Sequence, residues 1–223
     1  MTRKLAMIHT TPVTIASMKE LAAKTIPGVQ TVNFLDDSIL PQLIQNGGNV
    51  AEVEERLLAF AHFAEDVGAD VILSVCSSVG EVVEKMRAAV SIPVVRIDEA
   101  MAETALARGE RIGVVATLST TMSPTLRLLR QKAEALGKTC AFESVVADEA
   151  YRLLMQGDTE SHDRIVAEKL ADLGTRCDVI ILAQASMARA VSRLPEAEQG
   201  RFLTSPELAM QRVKTVFEEL GTR

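Results

Sequence analysis

The sequence predicts an α/β protein with parallel sheets, built as two similar halves of about four strands each. Two observations carry this. Short apolar runs of strand type alternate with amphipathic stretches of helical length, the pattern of βαβ units and parallel sheets. The chain also repeats itself. The segment DVILSVCSSVGE at Asp70–Glu81 returns 108 positions later as DVIILAQASMAR at Asp178–Arg189. KLAMIHTTPVT from Lys4 aligns with RIGVVATLSTT from Arg111 at an offset of 107, pairing Thr10 with Thr117 and Thr14 with Thr121. VVRIDEAMA from Val94 aligns with FLTSPELAM from Phe202, pairing Glu99 with Glu207. Parallel strands are Val/Ile-rich and resemble one another by chance, but three co-registered matches make a duplication. The halves divide as residues 1–97 plus about 206–223, and 98–205.

In order, Lys4–His9 reads as a first strand, and Thr10-Thr11-Pro12 leads into a helical pattern reaching about Lys24. Pro27-Gly28 is a turn signal before a strand at Val29–Leu35. Asp36–Gly48 reads as a loop whose Ile39, Leu40, Leu43 and Ile44 should pack down. Asn49 with Glu52 is a capping-box start for a helix to about Val67, stopped by Gly68. The Asp70 strand follows, and Ser78-x-x-Glu81 is a second capping box, placing the next helix start at Ser78.

Ile92–Ile97 is a short strand, and Asp98 can cap a helix to Ala107. Arg111–Ala116 is the next strand, Thr117–Thr121 a hydroxyl-rich loop, and Ser123-Pro124 a cap-plus-proline helix start. Cys140–Val146 is strand-like; Asp148–Gln156 and Thr159–Leu173 are helical. The Asp178 strand, a helix from about Ser186, a strand near Arg201–Thr204 and a helix from Ser205-Pro206 to Leu220 complete the chain. Right-handed crossovers put the carboxyl ends of the strands at one edge of each sheet, where ligands of open α/β sheets bind. If the halves face each other, Thr10, Cys76, Thr117 and Gln184 would border one cleft.

Composition narrows the function classes. At 223 residues the chain can bury a core without staples. A net charge of −6 without basic clusters, no Trp and one Tyr argue against nucleic acid and anionic membranes as partners. No apolar run approaches the roughly 20 residues that span a bilayer. Three irregularly spaced cysteines suit free thiols in a reducing, cytoplasmic setting. His9, His62 and His162 are scattered, and neither CxxC nor HxxxH occurs, so no metal site is expected.

Cys140 and Cys177 read as small buried hydrophobes. Cys76 differs, standing at a strand end just before a helix start. There first-turn amides and the helix dipole favour an anion and should lower the thiol pKa toward neutrality, with Glu81 opposing. A nucleophile would want a histidine base; His9, at another strand end, is either that base or a hydrogen-bonded structural residue. A redox role would want a resolving cysteine, and none adjoins. Proton transfer needs only the thiolate, an acidic C–H and donors for the enolate. Ser77, Ser78, Thr117, Ser119, Thr120, Thr121 and Ser186 supply such donors, each also able to serve only as a helix cap.

These residues resemble the cofactor-independent aspartate/glutamate/hydantoin racemase superfamily, which includes maleate isomerase and arylmalonate decarboxylase. The likeness rests on the strand–Cys76–Ser–Ser segment, on RIGVVATLSTTMSP, and on DVIILAQASM with FLTSPELA, and covers essentially the whole chain. It implies two Rossmann-like domains related by a pseudo-twofold axis, with the active site between them, and no cofactor or metal. In two-cysteine members one thiolate removes the α-proton and the opposite thiol returns one. Cys76 matches the first cysteine. The second normally lies in Leu-Gly-Cys-Thr-His or a similar pattern, and here Leu182-Ala183-Gln184-Ala185-Ser186 places Gln184 there. An amide neither takes up nor supplies a proton near neutral pH, so Gln184 is expected to orient substrate.

The expected activity is therefore racemase- or isomerase-like proton transfer by Cys76 at the carbon α to the carboxylate of a small acid. Thr10, Thr11, Ser77, Ser78, Thr117, Thr121 and Ser186 are expected to bind that substrate. The alternatives are a one-base lyase or decarboxylase of the same superfamily and a non-catalytic small-anion-binding protein. Expected partners are the small carboxylate and further copies of the chain, as a dimer or higher oligomer.

Overall fold

The computed structural model describes residues 3–221. They form two four-stranded parallel sheets. In chain order the elements are β1 (Lys4–His9), α1 (Ile15–Thr25), β2 (Gln30–Leu35), α2 (Ile39–Gln45), α3 (Glu54–Asp66), β3 (Val71–Ser74), α4 (Val83–Ala89) and β4 (Val94–Arg96). There follow α5 (Glu99–Arg108), β5 (Arg111–Ala116), α6 (Ser119–Ala135), β6 (Ala141–Val146), α7 (Asp148–Met155), α8 (Thr159–Gly174), β7 (Val179–Leu182), α9 (Glu196–Gln199), β8 (Phe202–Thr204) and α10 (Ser205–Gly221). The sheet orders are β2-β1-β3-β4 and β6-β5-β7-β8, one topology used twice. Contacts divide the chain into one unit up to Ile97 that takes back the segment from Pro206, and a second of Asp98–Ser205.

In the first unit Ala6, Ile8 and Ile72 pack against α2, α3 and α4 through Leu43, Leu57, Ala61, Val83 and Met86. Leu5, Met7, Val71 and Leu73 point the other way, onto Met18 and Ala22 of α1 and Met210, Val213 and Phe217 of α10. Both faces of this sheet are covered, so its inner strands read as unbroken apolar runs rather than alternating ones. Each fully buried Leu, Ile or Met there contributes about 1.5–3 kcal/mol, enough to fix the register. The second unit packs Val115, Ile180 and Leu182 on α7 and α8. On its α5–α6 side, Lys132 of α6 bridges Glu99 at 2.6 Å and Glu103 at 2.8 Å.

The repeated aspartate has a backbone task. Asp70 accepts from the Lys4 amide at 2.7 Å, and Asp178 accepts from the Arg111 amide at 2.9 Å. Each carboxylate thus ties the start of the third strand of its unit to the start of the first, which sets the pairing Leu5 with Val71 and Ile112 with Val179.

Several sequence expectations are corrected. Asp36–Gly48 is not a plain loop, because Ile39–Gln45 is helical with Ile39 and Leu43 fully buried. Pro41 falls at the third helical position, whose amide has no intrahelical partner to lose. Asn49 caps only a 3-10 turn at Val50–Glu52, its side chain accepting from the Ala51 amide, and the α-helix begins at Glu54. Ser78 does not open an α-helix, which begins only at Val83. Cys76 itself is the N-cap of a 3-10 turn at Ser77–Val82, without a side-chain cap bond, and Ser78 is buried. Asp98 precedes α5 without a side-chain cap bond. The helix expected from Ser123-Pro124 begins four residues earlier, at Ser119, with Leu118 as N-cap. Burial of Thr120, Thr121 and Met122 in its first turn outweighs the amide that Pro124 lacks. Lastly, Ala185–Arg193 is a 3-10 segment rather than an α-helix from Ser186.

Candidate active site

In an open sheet of this order, the chains leaving β1 and β3 turn to opposite sides, and the same holds for β5 and β7. Such a switch point opens a crevice at the carboxyl ends of those strands. The residues there are Thr10 and Cys76 in the first unit, and Thr117 and Gln184 in the second. The local backbones match. Cys76 has φ −145° and ψ 115°, Gln184 φ −133° and ψ 137°, and each opens a 3-10 segment.

Within each unit the threonine faces its partner. The Thr10 hydroxyl is buried, finds no conventional hydrogen-bond partner and faces the half-buried Cys76 thiol. The Thr117 hydroxyl donates to Gln184 Oε1 at 2.9 Å, and the Thr117 amide donates to the same oxygen at 2.5 Å. A backbone N–H can only donate, so it fixes which end of the Gln184 amide is the oxygen. The carbonyl is consumed inside the unit, and the NH₂ is left to donate elsewhere.

The thiol pKa corrects the sequence expectation. Burial pushes Cys76 up from its ordinary value. The Thr10 hydroxyl, the amides of Ser78 and Val79 and the Ser78 hydroxyl favour the thiolate but do not overcome desolvation. At neutral pH the resting group is a thiol, a proton donor surrounded by groups that accept its conversion to thiolate.

The other expected residues divide. Ser77 and Ser78 are buried in the turn that follows Cys76. Thr11 is a cap, its hydroxyl oxygen 3.5 Å from the Val13 amide that donates to it. Thr121 lies buried in the first turn of α6, and Ser186 is half-buried in the turn after Gln184. Thr120, in the same first turn of α6, carries a buried hydroxyl with no hydrogen-bond partner. Cys140 is half-buried and Cys177 buried. Among the described residues, no group of His, Cys, Asp and Glu is placed to hold a metal ion.

His9 is structural. It is fully buried, with Nδ1 2.9 Å from the Thr14 hydroxyl and Nε2 3.0 Å from Asn33 Oδ1. Asn33 Oδ1 only accepts, so Nε2 carries the proton and Nδ1 accepts from Thr14. Both ring nitrogens are engaged, leaving none to activate Cys76. Burial lowers its pKa from the ordinary 6.5, against the Asn33 hydrogen bond. The folded chain therefore binds fewer protons here than the unfolded chain, and stability is present above that pH and lost as pH falls below it. His9→Gln should flatten this acid loss below pH 6.5, measured as the unfolding midpoint in urea against pH; an unchanged slope would exclude His9 as its source.

Comparison with known proteins bears on the family and the fold. The model of the Asp/Glu/hydantoin racemase family matches residues 7–213. The chain belongs to that family. Its fold is that of racemases of known structure. A glutamate racemase isoform from Bacillus anthracis superposes with a TM-score of 0.73 at 17% identity, over 98% of this chain and 83% of that one. An aspartate racemase from Picrophilus torridus gives 0.73 at 13%, over 96% and 94%. An allantoin racemase from Klebsiella pneumoniae gives 0.69 at 16%, over 98% and 89%. No curated protein matches significantly by sequence. No helix among the described residues is long and apolar enough to cross a membrane.

Two features of the site region are not evident from local sequence pattern. Thr120 reads as part of a loop, and its burial follows only from a helix starting at Ser119. Arg96 has no motif of its own, although a cation inside the apolar run Ile92–Ile97 is a visible signal.

Proposed function

We propose that this racemase-family protein transfers a proton at the carbon α to the carboxylate of a small acid, with Cys76 as the acid/base. The observation that carries the reading is the pairing of a thiol at one switch point with a locked amide at its repeat-equivalent. The Thr10 hydroxyl and the Ser78 and Val79 amides favour the thiolate that forms when the proton leaves sulfur. Gln184, held by Thr117, offers an NH₂ donor suited to a substrate carboxylate or carbonyl. Buried hydroxyls of Ser77, Ser78, Thr120 and Thr121 suit the same anionic class.

A second reading is favoured by the raised thiol. In a decarboxylation, the C–COO⁻ bond breaks, CO₂ departs and the electron pair remains on the α-carbon as an enolate. That carbon takes the proton from the Cys76 sulfur, and the thiolate is reprotonated by solvent. One protonated thiol suffices for this, and no second base is required.

The deciding experiment incubates the protein with amino, hydroxy and malonate-type acids in D₂O, followed by NMR. Isomerase chemistry predicts deuterium at the α-carbon with all carboxyl groups retained; lyase chemistry predicts a product one carboxyl shorter, deuterated at that carbon. Saturable binding of such acids with neither exchange nor carboxyl loss would sink both and leave an anion-binding protein.

A further inference from the structure

The two equivalent turns are braced by different residues. In the second unit the brace runs outward: Arg189 of the turn after Gln184 places Nε 3.1 Å from Asp163 Oδ2 on α8. In the first unit the equivalent position is Glu81, which is exposed. Against that turn stands Arg96, at the end of β4. Arg96 is buried, and its guanidinium lies against the backbone of Gly80. A Cβ added to Gly80 would stand 2.5 Å from Arg96 Nη2 and closer still to Cζ and Nε. That approach is possible only because position 80 has no side chain.

The repeat differs at both positions. In the register that places Cys76 on Gln184, Gly80 falls on Ala188 and Arg96 on Thr204. The half with the thiol carries Gly and Arg at these positions, and the half with the amide carries Ala and Thr. A buried guanidinium is costly to desolvate and is retained where its planar, multidentate contacts are used.

We propose that Arg96 is a positioning residue for Cys76, its guanidinium clamped on Gly80 so that the Ser77–Val82 turn keeps the Ser78 and Val79 amides on the thiol. The proposal rests on the reading of Cys76 as the acid/base. Arg96 acts through the turn and not on the substrate, so its loss lowers kcat while leaving KM near its original value.

The test uses Gly80→Ala, Arg96→Thr and the double variant, which installs in the first unit the pair that the second already carries. Arg96→Thr empties a buried site and can cost the fold by itself; Gly80→Ala displaces the guanidinium but keeps it, and the double variant relieves the clash. Cys76 is titrated by mass-resolved iodoacetamide alkylation against pH, without substrate. In the folded double variant the thiol midpoint should rise by about one unit and alkylation at pH 8 should slow about tenfold, with kcat falling in parallel. A double variant that is folded and keeps the original thiol titration would overturn the proposal, making the pair mere packing. Because that titration needs no turnover, it stays separate from the functional reading, which fails instead if Cys76→Ser retains activity.

Discussion

Replacing Cys76 with serine should lower turnover by at least about 10³-fold while leaving the fold intact. General acid–base catalysis by one positioned group supplies about 10²–10⁴-fold, and here the group is also the sole proton carrier assigned. A serine hydroxyl preserves shape and can still face Thr10, but it does not ionise in the accessible range, so the surrounding donors have no anion to stabilise. The substitution should cost less than about 1.5 kcal/mol, because Cys76 is half-buried and hydroxyl donors and amides already surround it. Activity and urea unfolding measured on the same preparation check both halves of the statement. The pH profile adds a sign. The thiol sits above its ordinary value because burial raises it. If proton abstraction limits the rate, turnover climbs with pH until the thiolate predominates. If proton delivery to an enolate limits it, turnover is level through neutrality and falls as the thiol is lost at high pH. Retained turnover in Cys76→Ser would remove Cys76 from the chemistry altogether.

Much of the fold was legible because two signals repeat. Apolar runs buried on both faces of a sheet mark strands wherever they occur, and Asp70 and Asp178 recur because each must receive the first amide of a neighbouring strand. Elsewhere tertiary burial overrides local chemistry. Ser123-Pro124 is a good helix start in isolation, yet the buried Thr120, Thr121 and Met122 pull the helix back to Ser119. Ile39 and Leu43 pack down as their apolar character predicts, and four-residue spacing on one buried face makes their segment a helix. For the site, position was readable and electrostatics was not. The sequence placed Cys76 at a strand end, where a helix dipole would depress its pKa. A six-residue 3-10 turn supplies two amides instead of an α-helical terminus, and desolvation, which no local pattern encodes, wins. The same limit hid Arg96, whose contact with Gly80 depends on how β4 meets the turn.

Converting Gln184 to cysteine should open a second route for proton exchange. Gln184 and Cys76 share backbone conformation to within about 12° in φ and 22° in ψ, from −133° and 137° against −145° and 115°, so a thiol at 184 would leave its turn as Cys76 leaves its own. Thr117 is already in place to face it as Thr10 faces Cys76, since its hydroxyl and amide now converge on the Gln184 side chain. The cost is those two hydrogen bonds, about 1–3 kcal/mol if the Thr117 donors are left unsatisfied, seen as a lowered unfolding midpoint. On the proposed reading, the original protein exchanges the α-proton of one enantiomer only, because an amide cannot carry a proton. Gln184→Cys should then exchange both enantiomers in D₂O and interconvert them, and adding Cys76→Ser should abolish the interconversion. A folded Gln184→Cys protein with a reactive thiol at 184 and one-sided exchange would show that the second position never meets the reacting carbon. Original protein that already interconverts enantiomers would show that some group other than Gln184 carries the second proton.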